Sequence, residues 1–217
     1  MGEVYFVRHA QASHGAVNYD LLSPLGHQQA DWLGAHLALT VGGFDKVVSG
    51  SLKRHRQTLA AIKNNLGLPD SLEDQRLNEM SFFQLERAYQ AAEGLSPPNT
   101  QPEMEAHFAS VMAAWAEDRI SGAPECFADF RARILAAIGE HAVNGAKVLL
   151  VSSGGPAGVL MQHVLGLDQA GLTNVILRTY NASYSRFLVR PDGLHLLQFN
   201  AIAHLEHPDR QHAQTYL

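Results

Sequence analysis

Cysteine is nearly absent from this chain: Cys126 stands alone among 217 residues. That excludes an intrachain disulfide framework and fits a reducing compartment. Long apolar runs are missing as well, since none reaches the roughly 20 residues of a membrane-spanning helix. Met1 leads straight into a β-prone segment, with no basic stretch followed by an apolar one of the kind that addresses a chain for export. The net charge is −5 and is not gathered into a block of either sign, so neither a nucleic-acid nor a membrane-surface footprint is expected. Repeats and low-complexity segments are absent too. What remains is an ordinary globular composition, 46% hydrophobic, long enough for one large domain carrying an insertion. The expectation is a cytoplasmic protein forming a single domain over residues 1–217.

Val4 to Val7 is short, apolar and β-branched at both ends, and reads as a buried strand. In "LLSPLGHQQADWLGAHLAL" Ser23 is placed as N-cap and Pro24 as the first helical residue. Leu25, Ala30, Leu33, Leu37 and Ala38 recur at helical spacing until Gly42-Gly43 stops the pattern. "FDKVVSG" is a second strand, after which Ser51 is expected to cap a helix reaching about Asn65. Leu72 to Gly94 stays mixed, and "SPPNTQP" is a loop. Helical patterns follow over about Glu103 to Arg119 and Phe127 to Asn144. "KVLLVSSGGP" then carries the strongest strand-to-helix signal, with Pro156 suited to a first turn. Two late strands, near Ser183 to Val189 and Leu194 to Phe199, are joined by the turn "RPDG". Alternating strands and helices predict an α/β/α sandwich on a mostly parallel sheet. The helical stretch at about 85–144 is expected as an insertion over the sheet's C-terminal edge.

Three strand ends matter together: Arg8-His9, "SGSLKRHRQT" and "VSSGGP". In an open α/β sheet such ends converge on one crevice. The first contributes an arginine and a histidine, and the second contributes Arg54 early in a helix. The third offers backbone N–H groups at Gly154 with the hydroxyls of Ser152 and Ser153, an anion site. Arginine forks plus a helix N-terminus suit a phosphoryl group, and a histidine beside them can be a nucleophile.

Taken in order, "VRHAQAS", "SLKRHRQT", "RLNEMSFFQLE", "LLVSSGGP" and "NASYSRF" resemble the histidine phosphatase superfamily, the phosphoglycerate-mutase-like fold, across nearly the whole chain. The resemblance implies phosphoryl transfer through a phosphohistidine, with no cofactor and no metal. His9 would attack phosphorus, Arg8 and Arg54 would hold the phosphate oxygens with Ser153 and Gly154, and Glu79 would protonate the leaving group. The ligand implied is a small phosphomonoester or phosphorylated ligand, with inorganic phosphate as product.

Departures from the family pattern carry their own information. Its "RHG" reads "RHA", placing Ala10 at the glycine. An asparagine usual soon after falls at Gly15, and a glycine of the acidic motif falls at Phe83. The chain resembles a variant branch in which Ser-Ser-Gly replaces Ser-His-Gly, so the second catalytic histidine falls at Ser153. Removing one transition-state donor costs about 100- to 1,000-fold in rate. His14 and His204 are candidates to fill the gap. Ser153→His should then raise turnover if the place is empty, and hold or lower it if another group already stands there. Lys53, His55 and Arg56 read as a solvated face and packing, Glu86 as structural, and His204, His207 and His212 as scattered histidines rather than metal ligands. Phe108, Met112 and Trp115 share a helix face and read as packing. A hydrolase is favoured over a mutase, which would need a second phosphate clamp. The alternative class is a catalytically weak phosphate-binding module.

Overall fold

A computed structural model describes residues 2–13, 20–94, 96 and 98–216. His14 and Gly15 lie outside the described residues. Six strands form one sheet in the order β3-β2-β4-β1-β5-β6. These are β1 (Gly2–Arg8), β2 (Lys46–Ser49), β3 (Ser71–Glu73), β4 (Lys147–Ser152), β5 (Tyr184–Arg190) and β6 (Gly193–Ala201). The first four run parallel, while β5 pairs antiparallel with β1 and β6 antiparallel with β5. The sheet is therefore mixed, its parallel part being the side that holds the strand-end motifs.

Strand pleating divides the core. Val4, Phe6, Val148 and Leu150 bury on one face, and Tyr5, Val7, Leu149 and Val151 on the other. The second face is covered by α1 (Pro24–Thr40) and α2 (Lys53–Asn65). α1 follows its sequence signals: Ser23 accepts from Gly26 N–H at 2.9 Å, Pro24 opens the helix, and Ala30, Leu33 and Leu37 are buried. The first face is covered by α3 (Phe82–Glu93), α4 (Gln101–Ala116), α5 (Phe127–His141), α6 (Gly154–Leu165) and α7 (Gln169–Arg178). Among the helices of 85–144, α5 is a layer helix, since Ile134, Ala137 and Ile138 bury in the same cluster as Val4 and Val148. Met112 and Trp115 of α4 join that cluster, and the Phe108 ring packs tilted against that of Phe82 of α3, their centroids 4.6 Å apart.

The expected cap of α2 is replaced. Ser51 is occupied with Asn78, which accepts from Ser51 N–H at 2.8 Å and donates to Ser51 Oγ at 2.9 Å. Asp20 caps α2 instead, accepting from Lys53 N–H at 2.9 Å and Arg54 N–H at 3.5 Å. A carboxylate at a helix N-terminus is favoured by the orphan N–H groups and the helix dipole.

Candidate active site

The C-terminal ends of β1, β2 and β4 meet through backbone bonds. His9 N–H donates to Ser152 C=O at 2.8 Å, and Gly50 N–H donates to Val151 C=O at 3.0 Å. Thr58 ties the first junction to α2, accepting from Ala10 N–H at 3.1 Å while donating to Arg54 C=O at 2.7 Å. Ala10 does not adopt a positive φ, so no glycine is required at that place in the turn.

His9 is 5% exposed, and its two ring nitrogens are distinguished by their partners. Nδ1 lies 2.7 Å from the carbonyl of Ala10, which can only accept, so Nδ1 carries the proton. Nε2 is then a lone pair, and it accepts from Arg54 Nε at 3.1 Å. Burial pushes the His9 pKa well below its ordinary value, and the charge of Arg54 pushes in the same direction, with His55 and Arg8 adding to it. The ring is a neutral imidazole with Nε2 directed at a guanidinium, the state a nitrogen nucleophile needs.

Arg54 is buried and forms a 2.8 Å ion pair with Asp20. Arg8 Nη1 donates to the carbonyls of Thr179 and Tyr216, the latter at 2.8 Å. The Arg8 guanidinium also borders the start of α6, since a Cβ built on Gly154 would lie 3.6 Å from its Nε. Glu79 reaches the same helix end: Gly155 N–H donates to both carboxyl oxygens at 3.1 Å. The loop carrying Glu79 is held by Arg133, which donates to the carbonyls of Arg76 and Asn78, and by Ser152 Oγ, which donates to Leu77 C=O at 2.6 Å. Burial raises the Glu79 pKa, opposed by the Gly155 N–H and the charges of Arg54 and Arg8. One consequence differs from the sequence expectation. The Gly155 N–H at the start of α6 is given to the Glu79 carboxyl group rather than kept for an incoming anion.

Ser153 is fully buried at the N-cap of α6, yet its side chain makes no capping bond. Its Oγ lies 2.6 Å from Nε2 of His55, a residue the sequence reading assigned no chemical role, only a solvated face and packing. His55 is itself fully buried, with its ring 5.6 Å from that of His9. The available signal was periodicity: His55, Leu59 and Ile62 fall at helical spacing and share the buried face of α2.

Arg8, His9, Arg54, Glu79, Ser153 and Gly154 thus gather at the C-terminal ends of the central parallel strands. Residues 4–202 match the histidine phosphatase superfamily (branch 1). The chain belongs to that superfamily. Solved structures of the same fold include a mutant phosphoserine phosphatase from Entamoeba histolytica in complex with phosphoserine, 16% identical with a TM-score of 0.66, covering 94% of this chain and 100% of that one. A mycobacterial glucosyl-3-phosphoglycerate phosphatase is 23% identical with a TM-score of 0.63, covering 92% and 98% of the two chains. A phosphoglycerate mutase from Bacillus anthracis str. Sterne is 18% identical with a TM-score of 0.67, covering 93% and 94%. No curated protein matches the chain.

Other residues of this superfamily member singled out in the sequence fall elsewhere. Phe83 is 51% exposed on α3, and Glu86 faces His107 at 3.3 Å. No cluster of three or more histidine, cysteine or acidic residues suited to a metal occurs among the described residues. No helix among them is long and apolar enough to cross a membrane. His204 does not join the His9 group. It packs against His36 of α1 with ring centroids 6.0 Å apart, and neither of its ring nitrogens has a hydrogen-bond partner.

Burial, reinforced by His36 and Arg210, depresses the His204 pKa to about 3. A histidine of ordinary pKa, about 6.5, gains a proton on unfolding at any pH between those values. Stability is therefore whole above pH ~6.5 and declines as pH falls toward the folded value, by up to about 1.4 kcal/mol per pH unit for each such group. His204→Leu should make urea-unfolding free energies less steep between pH 7 and 5. An unchanged slope would remove His204 from the acid sensitivity.

Proposed function

We propose that the protein is a phosphomonoester hydrolase in which His9 takes up the phosphoryl group. The observation that carries this reading is the His9 tautomer: Nδ1–H is held by Ala10 C=O, leaving the Nε2 lone pair beside Arg54. A phosphate drawn between Arg8 and Arg54 has its oxygens neutralised by guanidinium groups, whose planar forks match phosphate geometry. Nε2 then forms the N–P bond while the ester P–O bond breaks. The leaving oxygen takes the proton of Glu79, whose raised pKa favours the protonated acid. A water attacks the phosphoryl group in the second half, passing its proton to the Glu79 carboxylate. The N–P electron pair returns to Nε2 and inorganic phosphate leaves. No step requires a metal, because the two arginines meet the charge that develops on phosphorus-bound oxygen.

The substrate is a small phosphomonoester. Support comes from the similar structures, one holding phosphoserine and another named for glucosyl-3-phosphoglycerate. The site belongs to one domain and to a protein of the cytoplasm, where free phosphate esters and a lone unpaired Cys126 are both at home. The test is to incubate the protein with p-nitrophenyl phosphate, quench in alkali and map the adduct by mass spectrometry. One phosphoryl group should appear on the peptide carrying His9, stable in alkali and lost in mild acid. No adduct together with no turnover would leave a phosphate-binding module as the reading, which the serine at position 153 favours.

A further inference from the structure

We propose that His55, acting through the Ser153 hydroxyl, supplies the second imidazole of the phosphoryl site. The inference rests on the hydrolase reading above. Ser153 stands where the family motif carries a histidine, and the structure puts an imidazole directly behind it, with Nε2 2.6 Å from Oγ. Both residues are fully buried, so this contact is not a surface accident. Gly50 leaves the room for it: a Cβ there would lie 2.3 Å from His55 Nδ1.

The proton arrangement follows from the partners. Nε2 has Ser153 Oγ at 2.6 Å, while Nδ1 has only a poorly angled contact with the Gly50 backbone. The short, well-formed contact holds a proton better than the poorly angled one. The neutral ring therefore carries its proton on Nε2 and donates it to Ser153 Oγ. With its lone pair so engaged, the serine hydroxyl points its own proton away from His55, toward a phosphoryl oxygen at the start of α6. Ser153 meets the phosphoryl group only once substrate entry opens its buried Oγ, and His55 is a positioning residue that polarises and orients it. No proton is transferred along the pair. His9 still forms the N–P bond and Glu79 still protonates the leaving oxygen.

The test uses the purified full chain with p-nitrophenyl phosphate. His55→Ala and Ser153→Ala should each lower kcat about 100-fold, with a smaller change in KM, as for loss of one transition-state donor. The double variant should fall no further than the worse single, because the two act as one device. Ser153→His alone should also lose activity, since the new ring meets His55. Ser153→His combined with His55→Ala should recover most of the loss seen in His55→Ala, an outcome a merely structural role of His55 would not produce. Multiplicative losses, or native kcat in His55→Ala, would overturn the proposal. If these variants fail to fold, nitrogen-15 histidine spectra of the native protein decide: the His55 proton belongs on Nε2, and a proton on Nδ1 overturns the assignment. A native enzyme that forms phosphohistidine while His55→Ala keeps native kcat sinks this inference alone. A native enzyme that forms none sinks the hydrolase reading first.

Discussion

Alanine at position 9 should lower the turnover of an aryl phosphate by roughly 10,000-fold or more, the scale expected for removal of a nucleophile. The adjacent ring of His55 is no substitute, because its Nε2 is committed to Ser153 and its centroid lies 5.6 Å from that of His9. Arg54 Nε would lose its acceptor, yet Arg54 remains tied to Asp20 at 2.8 Å and to Thr58 through its carbonyl. The phosphate cradle should therefore survive while the chemistry fails, so that inorganic phosphate still protects the variant against thermal unfolding. The space vacated by a ring that was 5% exposed is shaped for imidazole. Millimolar imidazole should restore part of the rate by attacking phosphorus from the same place. Native turnover in His9→Ala would refute nucleophilic catalysis at this residue.

Glu79→Gln should separate substrates by their leaving groups. For an alkyl phosphate, whose alkoxide cannot depart unprotonated, the loss should be about 1,000- to 10,000-fold, the upper range for positioned acid catalysis. For p-nitrophenyl phosphate, whose phenolate leaves readily, it should be far smaller. Glutamine keeps a carbonyl for the Gly155 N–H that now bonds both carboxyl oxygens, so the α6 start should hold its geometry. The pH profiles should agree. Activity needs His9 neutral, which holds above its lowered pKa, and Glu79 protonated, which holds below its raised one. The alkaline limb should disappear in Glu79→Gln, because no carboxyl remains to lose its proton. Equal losses for both substrates, with the alkaline limb intact, would assign Glu79 a structural part only.

Residues at strand ends were readable before any coordinates. Arg8, His9 and Ser153 follow apolar β-branched runs, and an α/β sheet leaves such positions little choice of location. His55 was hidden by its neighbours: among Lys53, Arg54 and Arg56 it looks like one more solvated side chain, although Leu59 and Ile62 mark its face as buried. Asp20 was unreadable for a different reason. Ser51 satisfies the local pattern of a cap, and only the tertiary fold diverts it to Asn78 and brings in a carboxylate from before α1. The antiparallel β5 beside β1 was likewise set by how the final hairpin returns to the sheet, which strand-to-helix alternation does not encode.

Gly50 and Gly155 impose an order on how this site can change over evolutionary time. Neither has a positive φ, so neither is held as glycine by its backbone. Each is held by neighbouring side chains: a Cβ at Gly50 would lie 2.3 Å from His55 Nδ1 and 2.7 Å from Asn78 Oδ1, and one at Gly155 would lie 2.1 Å from Glu79 Oε1 and 2.7 Å from Met80 Sδ. Alanine at position 50 becomes tolerable only after His55 has shrunk and Asn78 has given way, and alanine at 155 only after Glu79 has shrunk and Met80 has given way. A lineage that loses either chemical group can then fix the alanine once Asn78 or Met80 has also shifted. From that point reverting the lost group alone is blocked, because the space it filled is gone. Silencing this site is therefore easy to enter and hard to leave, and a descendant bearing alanine at either position records a loss that one substitution does not undo.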